Sequence, residues 1–237
     1  KNFEEKQIRD KLKARGYKQL QEVVGYEIIS YLGEPWMAPN GNVIKIFDPE
    51  FSKAKKFDLE SYLALHVRLK GLSNSNMVRI YSVNGNSDFS KYPHIEMEFG
   101  GTPIHSTIEK NKHEGRVLSV ASALEYGIQI GNFLRFLHSN NLVHQDRHGK
   151  NVLVTNNDVI KVADMGSKGF TSMTGYAPPE LFEIGGVADY STDMFFQGEV
   201  IHLMLTNSFV NRKKKPRELN PKISEKLEGI LIKLTQD

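Results

Sequence analysis

The sequence has no cysteine, which excludes a disulfide scaffold and any thiolate zinc site while leaving the cellular compartment open. It also lacks an apolar run near the roughly 18 residues of a transmembrane helix. The longest, Met194 to Leu205, is interrupted by Gln197, Glu199 and His202. Net charge is small: 31 basic residues against 28 acidic ones give a formal +3, too little for a broad cationic field, so no nucleic-acid partner is expected. One local exception is Arg212-Lys213-Lys214-Lys215-Pro216-Arg217. It has the chemistry to touch phosphates, acidic partners or an import receptor, and reads first as a solvated loop between helices. There is no secretory signal and no initiating methionine, so the chain is expected to be a trimmed piece from which any original targeting segment is missing. Internal repeats are absent as well.

What is present is an ordinary globular mixture, 39% hydrophobic and 25% charged, in a chain of 237 residues. That length allows one large domain or two small lobes. A first helix is predicted over Asn2–Arg15, with Asn2 as cap, Glu5 where a capping box wants a carboxylate, and Gly16 as the stop. Strands are predicted at Leu20–Val24 and Tyr26–Leu32. A turn-rich patch (Gly33, Pro35, Pro39, Asn40, Gly41) follows, and then a strand over Asn42–Phe47. Leu59, Tyr62, Leu63, His66 and Leu69 recur at helical spacing and predict one helix from Lys53 to Leu69. Further strands are expected at Met77–Val83 and His94–Phe99. Gly100-Gly101 marks a break between a strand-rich part, residues 1–100, and a helical part, residues 101–237. In the second part, Ser119–His138 is predicted as a helix burying Ala121, Leu124, Ile128, Phe133, Leu134 and Leu137. Asp193–Leu205 reads as a helix apolar on nearly all sides, and Ser224–Leu234 as a terminal amphipathic one.

The chemistry concentrates between Leu142 and Gly166. Short apolar runs release loops bearing Asp146 and Asp164, with Asn151 between them. These are hard oxygen groups of the kind that suit magnesium shared with substrate phosphates. A carboxylate that holds no metal can orient an attacking hydroxyl and accept its proton. Lys45, centred in an apolar strand, is the candidate cation for phosphoryl oxygens; a solvent-facing lysine on an edge strand is the plainer alternative. His144 and His148, four apart, also read as a zinc pair, but they sit in a loop with no obvious third ligand.

Leu142-Val143-His144-Gln145-Asp146-Arg147-His148-Gly149-Lys150-Asn151-Val152-Leu153-Val154 resembles the catalytic loop of protein kinases, and Ile160-Lys161-Val162-Ala163-Asp164-Met165-Gly166 resembles the strand entering their D-F-G motif. Tyr176-Ala177-Pro178-Pro179-Glu180 is similar to A-P-E, with Pro178 in the alanine position. Asp193 and Gly198 match the buried helix that anchors the catalytic loop, and Phe133 to Leu142 matches the helix end before it. Met97-Glu98-Phe99-Gly100-Gly101 resembles the hinge. The motifs occur in the family's order from about Tyr26 onward. The resemblance implies an α+β fold with two lobes: a small β-rich lobe reaching Gly100 after an N-terminal helix, and a mainly helical lobe from residue 101. It implies ATP and Mg2+ as cofactors and transfer of the γ-phosphoryl to serine or threonine of a protein substrate. In that reading Asp146 is the catalytic base, Asn151 and Asp164 hold magnesium, and Lys45 contacts the α/β phosphates. Glu60 pairs with Lys45, Met97 guards the back of the adenine site, and the main chain of Glu98, Phe99 and Gly100 binds adenine.

Departures from the family carry their own implications. G-x-G-x-x-G is absent, and two alignments compete: either Tyr26–Gly33 is the first strand, or Gly25 is a loop remnant and Glu27–Leu32 the second strand. Gln145 replaces the arginine that receives an activation-loop phosphate, and the stretch from Asp164 to Glu180 is short, which implies activity without that switch. His148 stands where serine/threonine kinases place lysine and is similar to kinase-like small-molecule phosphotransferases; it joins the catalytic set on that ground. Thr174 lies near the threonine that lines the serine/threonine acceptor site. A catalytically silent scaffold is the other alternative. The abbreviated C-terminal part resembles reduced bacterial kinases, including effectors injected into host cells, which implies a cytoplasmic location in the cell itself or in a host.

Overall fold

The computed structural model describes residues 3–24, 34–54, 57–85, 92–144, 149–166, 189–210 and 213–235. They fall into two units, Lys1–Ser73 with Val78–Phe99, and Asn74–Met77 with Gly100–Asp237. The first unit runs α1 (Phe3–Ala14), β1 (Lys18–Gln19), α2 (Leu20–Val24), β2 (Glu34–Met37), β3 (Val43–Ile46), α3 (Pro49–Ala54), α4 (Leu59–Lys70), β4 (Ile80–Val83) and β5 (His94–Met97). The strands make one antiparallel sheet in the order β1-β2-β3-β5-β4, with β3 interior.

Strand alternation divides β3 into two faces. Ile44, opposite Trp36, and Ile46 lie on one; Val43 and Lys45 lie on the other. Leu12 of α1 joins Trp36, Ile44 and Ile46 in a buried cluster edged by Ile8, Tyr17 and Tyr92. The few apolar residues of α1 are therefore enough to seal a sheet face.

Several sequence expectations are corrected here. Leu20–Val24 is helical, so Val23 and Val24 had signalled a strand that the chain does not make. The turn-rich patch contains β2. Its Pro35 lies past the two-residue ladder with β1, where a missing N–H disrupts least. β2 is preceded by β1 at Lys18–Gln19; both expected alignments of the first strands, Tyr26–Gly33 and Gly25 with Glu27–Leu32, lie outside the described residues. The helix predicted over Lys53–Leu69 is two helices. Asp58 starts α4 by accepting the Ser61 N–H at 3.0 Å, a cap signal missed in the sequence.

The second unit contains β6 (Thr102–Pro103), α5 (Ile104–His113), α6 (Val120–Ser139), a 3-10 turn (Gly149–Asn151), β7 (Val152–Val154), β8 (Ile160–Val162), α7 (Tyr190–Thr206), α8 (Pro216–Leu219) and α9 (Glu225–Leu234). β6, β7 and β8 form a small antiparallel sheet, while Leu142-Val143 forms no strand. Asn76 stitches its own short segment to β8: its carbonyl accepts Val162 N–H at 2.8 Å, and its amide donates to Ile160 O and Gln129 Oε1, both at 3.0 Å. On α6 the buried stripe is Ala123, Gly127, Ile130, Phe133, Leu134 and Leu137, whereas Leu124 and Ile128 are exposed. The predicted face was rotated because Gly127, with no apolar side chain to signal it, faces α7 and accepts Gln197 Nε2 at 2.8 Å. α7 is buried along nearly its whole length, as its composition predicts. It needs Gly198, where a Cβ would lie 2.7 Å from Leu234 Cβ of α9. No helix among the described residues is long and apolar enough to cross a membrane.

Two outcomes follow for stability. Leu12→Ala empties a fully buried site and should cost about 2–4 kcal/mol in urea unfolding; a loss under about 0.5 kcal/mol would contradict the packing of α1. Burial holds His202 below its ordinary pKa of 6.5, against a smaller opposite pull from Ser208 O, which accepts from Nδ1 at 2.9 Å. The unfolded imidazole takes its proton first, so this contribution is full above about pH 6.5 and is lost as pH falls below it. The urea midpoint of His202→Gln should then fall less between pH 7 and pH 5 than that of the parent; equal falls would refute the burial effect.

Candidate active site

Lys45 is 5% exposed at the centre of the first sheet, between Pro35 of β2 and Ile95 of β5. β3 is an interior strand, which removes the edge-strand alternative. The ammonium Nζ lies 6.0 Å from the Phe47 ring centroid, within the reach of a cation–π contact. Glu60, expected to pair with Lys45, is exposed in the first turn of α4, and no ion pair joins the two among the described residues. The buried face of α4 carries Tyr62, His66 and Leu69 instead. Sequence suggested Glu60 as the only Glu of the predicted helix, with Asp58 the poorer alternative, and Asp58 is the cap of α4; spacing does not say which way a side chain faces.

Met97 ends β5 opposite Val43 and Ile80 and is 7% exposed. Glu98 is committed to the sheet: its N–H donates to Arg79 O at 2.9 Å, and its carboxylate accepts Arg79 N–H at 3.1 Å. Phe99 is exposed and Gly100 buried. Gly101 takes φ +105, and a Cβ there would stand 2.1 Å from Val154 O, so only glycine lets this turn lie against β7.

The start of the loop between α6 and β7 is held by a buried carboxylate. Asp193, 0% exposed on α7, accepts His144 N–H at 3.0 and 3.2 Å and His138 Nε2 at 2.8 Å. His144 lies between Phe133, edge-on at 6.1 Å, and Phe196, stacked at 5.7 Å. Its Nε2–H donates to Ala163 O at 3.0 Å, and its own carbonyl accepts Gly166 N–H at 2.9 Å. His138 carried no role in the sequence reading. The available signal was a histidine at the end of an amphipathic helix in a chain that also buries an aspartate.

Asn151 closes the 3-10 turn at 9% exposure, and its carbonyl accepts Ala163 N–H at 2.9 Å. That bond brings Asn151 beside the residue that precedes Asp164. The Asn151 amide Nδ2 is buried without a hydrogen-bond partner among the described residues. Asp164 is half-buried at φ +54, the left-handed region that side chains other than glycine seldom occupy and that functional positions often do. Asp146, His148 and Gln145 lie outside the described residues, as do residues 176–180 and Thr174.

Residues 42–236 match the protein kinase domain family. A probable serine/threonine-protein kinase of Clostridium acetobutylicum is 28% identical over 207 residues, covering 80% of this chain and 30% of the relative. The serine/threonine-protein kinase-transforming protein mos of Moloney murine sarcoma virus is 29% identical over 146 residues, 56% of this chain and 38% of that one. The chain thus spans about a third of the length of these relatives. The crystal structure of the Mycobacterium tuberculosis PknI kinase domain superposes with a TM-score of 0.69 at 20% identity, covering 88% of this chain and 84% of that one. The shared architecture is the α+β protein kinase fold, a sheet-bearing part followed by a mainly helical one, and with its family match running from residue 42 to residue 236 this chain belongs to the protein kinase family.

Proposed function

We propose that the chain is an ATP- and magnesium-dependent kinase that phosphorylates serine or threonine of a protein substrate. The observation that carries this reading is the Ala163 N–H to Asn151 O bond, which brings the backbone of Asn151 beside the residue that precedes Asp164 at the end of β8. The side-chain oxygens of Asn151 and Asp164 are hard donors, and two protein ligands are the usual complement for magnesium, whose remaining positions are filled by phosphates and water. Asn151 would turn its Oδ1 to the metal, while its buried Nδ2, unpartnered among the described residues, is a donor that calls for an oxygen acceptor. Asn151 and Asp164 would hold the metal, which when bound would neutralise charge on the phosphate oxygens.

The other roles follow from the protein's own groups. Lys45, kept rigid on an interior strand, would meet the α and β phosphates. Met97 would bound the base. Because the Glu98 N–H is committed to Arg79, the adenine would use the Glu98 carbonyl and the main chain of Phe99 and Gly100. Asp146 would orient the acceptor hydroxyl and take its proton, with His148 beside it in sequence. Residues 1–100 would form the nucleotide lobe and residues 101–237 the acceptor lobe. Gln145 in the arginine position favours activity without phosphorylation of the segment after Asp164. A second reading, a binding module with weak or no catalysis, is favoured by one observation: the sequence contains no G-x-G-x-x-G to cradle phosphates.

Transfer of γ-phosphate from labelled ATP with magnesium to generic serine- and threonine-containing proteins separates the two. The parent should transfer. Asp146→Asn should lose on the order of a hundredfold or more, and Lys45→Ala and Asp164→Ala should fall to background, with all three still folded. Normal turnover in any of the three would sink the assignment of that residue. No transfer by the parent, and no ATP-dependent thermal shift, would favour the binding module.

A further inference from the structure

Two residues beyond Lys45, Phe47 leaves the strand on the same side and is 1% exposed. Its ring meets Tyr62 of α4 edge-on, with centroids 5.6 Å apart. Tyr62, also 1% exposed, meets Phe57 at 5.3 Å and His66 at 4.2 Å. His66 Nδ1–H donates to Tyr62 O at 2.8 Å, fixing that ring against the helix's own turn. A continuous line of buried rings therefore runs from the Lys45 ammonium, 6.0 Å from the Phe47 centroid, into α4. The only carboxylate of α4 does not stand on that line. Glu60 lies two positions from Tyr62, about 200° around a helix of 3.6 residues per turn, and is exposed. Asp58, just outside the helix, serves as its cap.

We infer that Phe47 and Tyr62 are the positioning residues for Lys45. The helix is coupled to the lysine strand by ring packing rather than by a Glu60 carboxylate. This rests on the kinase reading above. Where an ion pair links such a helix to its lysine, rotating the helix makes or breaks the pair. Interlocked buried rings have no comparable second arrangement within reach, because moving α4 would open a cavity under Phe47. The lysine is then set by the fold itself, in keeping with the missing arginine at Gln145.

A double-mutant cycle tests this. ATP affinity by calorimetry, together with kcat and KM for ATP, is measured for the parent, Tyr62→Phe, Tyr62→Leu, Lys45→Ala and Lys45→Ala/Tyr62→Leu, each checked for folding by urea titration. Tyr62→Leu should lose about tenfold or more in kcat/KM and about fivefold in ATP affinity, while Tyr62→Phe, which keeps the ring, stays within about threefold of the parent in kcat/KM. Transfer by Lys45→Ala is at background, so the cycle is closed on ATP affinity, where Tyr62→Leu should add no further loss in that background, since the residue it positions is gone. Phe47→Leu carries the same cycle if Tyr62→Leu does not fold. Losses that multiply instead, or a Glu60→Gln loss as large as that of Lys45→Ala, would overturn the inference while leaving the kinase reading intact. A parent that neither binds nor transfers would overturn both.

Discussion

One buried carboxylate organises the second unit. Asp193 has no exposure, and a carboxylate in that position is tolerable only if its oxygens are satisfied. The His144 N–H and the His138 imidazole satisfy them, and they come from the loop before β7 and from the end of α6. The carboxylate therefore joins α7, α6 and the start of the loop that leads to Asp146. From His144 the chain of bonds continues through Ala163 O and Gly166 N–H to the segment around Asp164, and from Ala163 N–H to Asn151. Asn151 is thus three hydrogen bonds from that carboxylate, and Asp164 directly follows Ala163 on the same path.

The first unit is built on the opposite principle. Apolar side chains pack both faces of its sheet, and the two faces do different work. Leu12 and Trp36 seal one face with the chain's own N-terminal helix, which precedes the part matched by the family. The other face presents Lys45 beside a line of rings. Dispersion and burial give rigidity without direction, which suits a lysine that must be held still. Hydrogen bonds to a buried charge give direction, which suits a loop whose backbone must follow one path.

The sequence made the second unit more legible than the first, and for identifiable reasons. Asp193, Gly198, Asn151 and Asp164 sit in fixed spacings along continuous motifs, and local spacing survives folding. Lys45 was legible because an apolar run on both sides of a lysine signals a buried strand. Glu60 was not, because its direction depends on where α4 begins, and Asp58 begins it five residues after Lys53. β2 was hidden by Pro35, and α2 by two valines, since tertiary pairing overrides local propensity. The stripe on α6 was misplaced because glycine at position 127 marks close helix contact but is silent to a hydrophobic pattern.

The claim that Asp193 holds the loop is tested most directly by hydrogen exchange read on the Leu142–His144 segment in the parent and in Asp193→Ala. The account predicts that protection at His144 collapses in the variant, while the Val43–Ile46 strand of the first unit keeps its parental protection. Unchanged protection at His144 in a folded Asp193→Ala would contradict it.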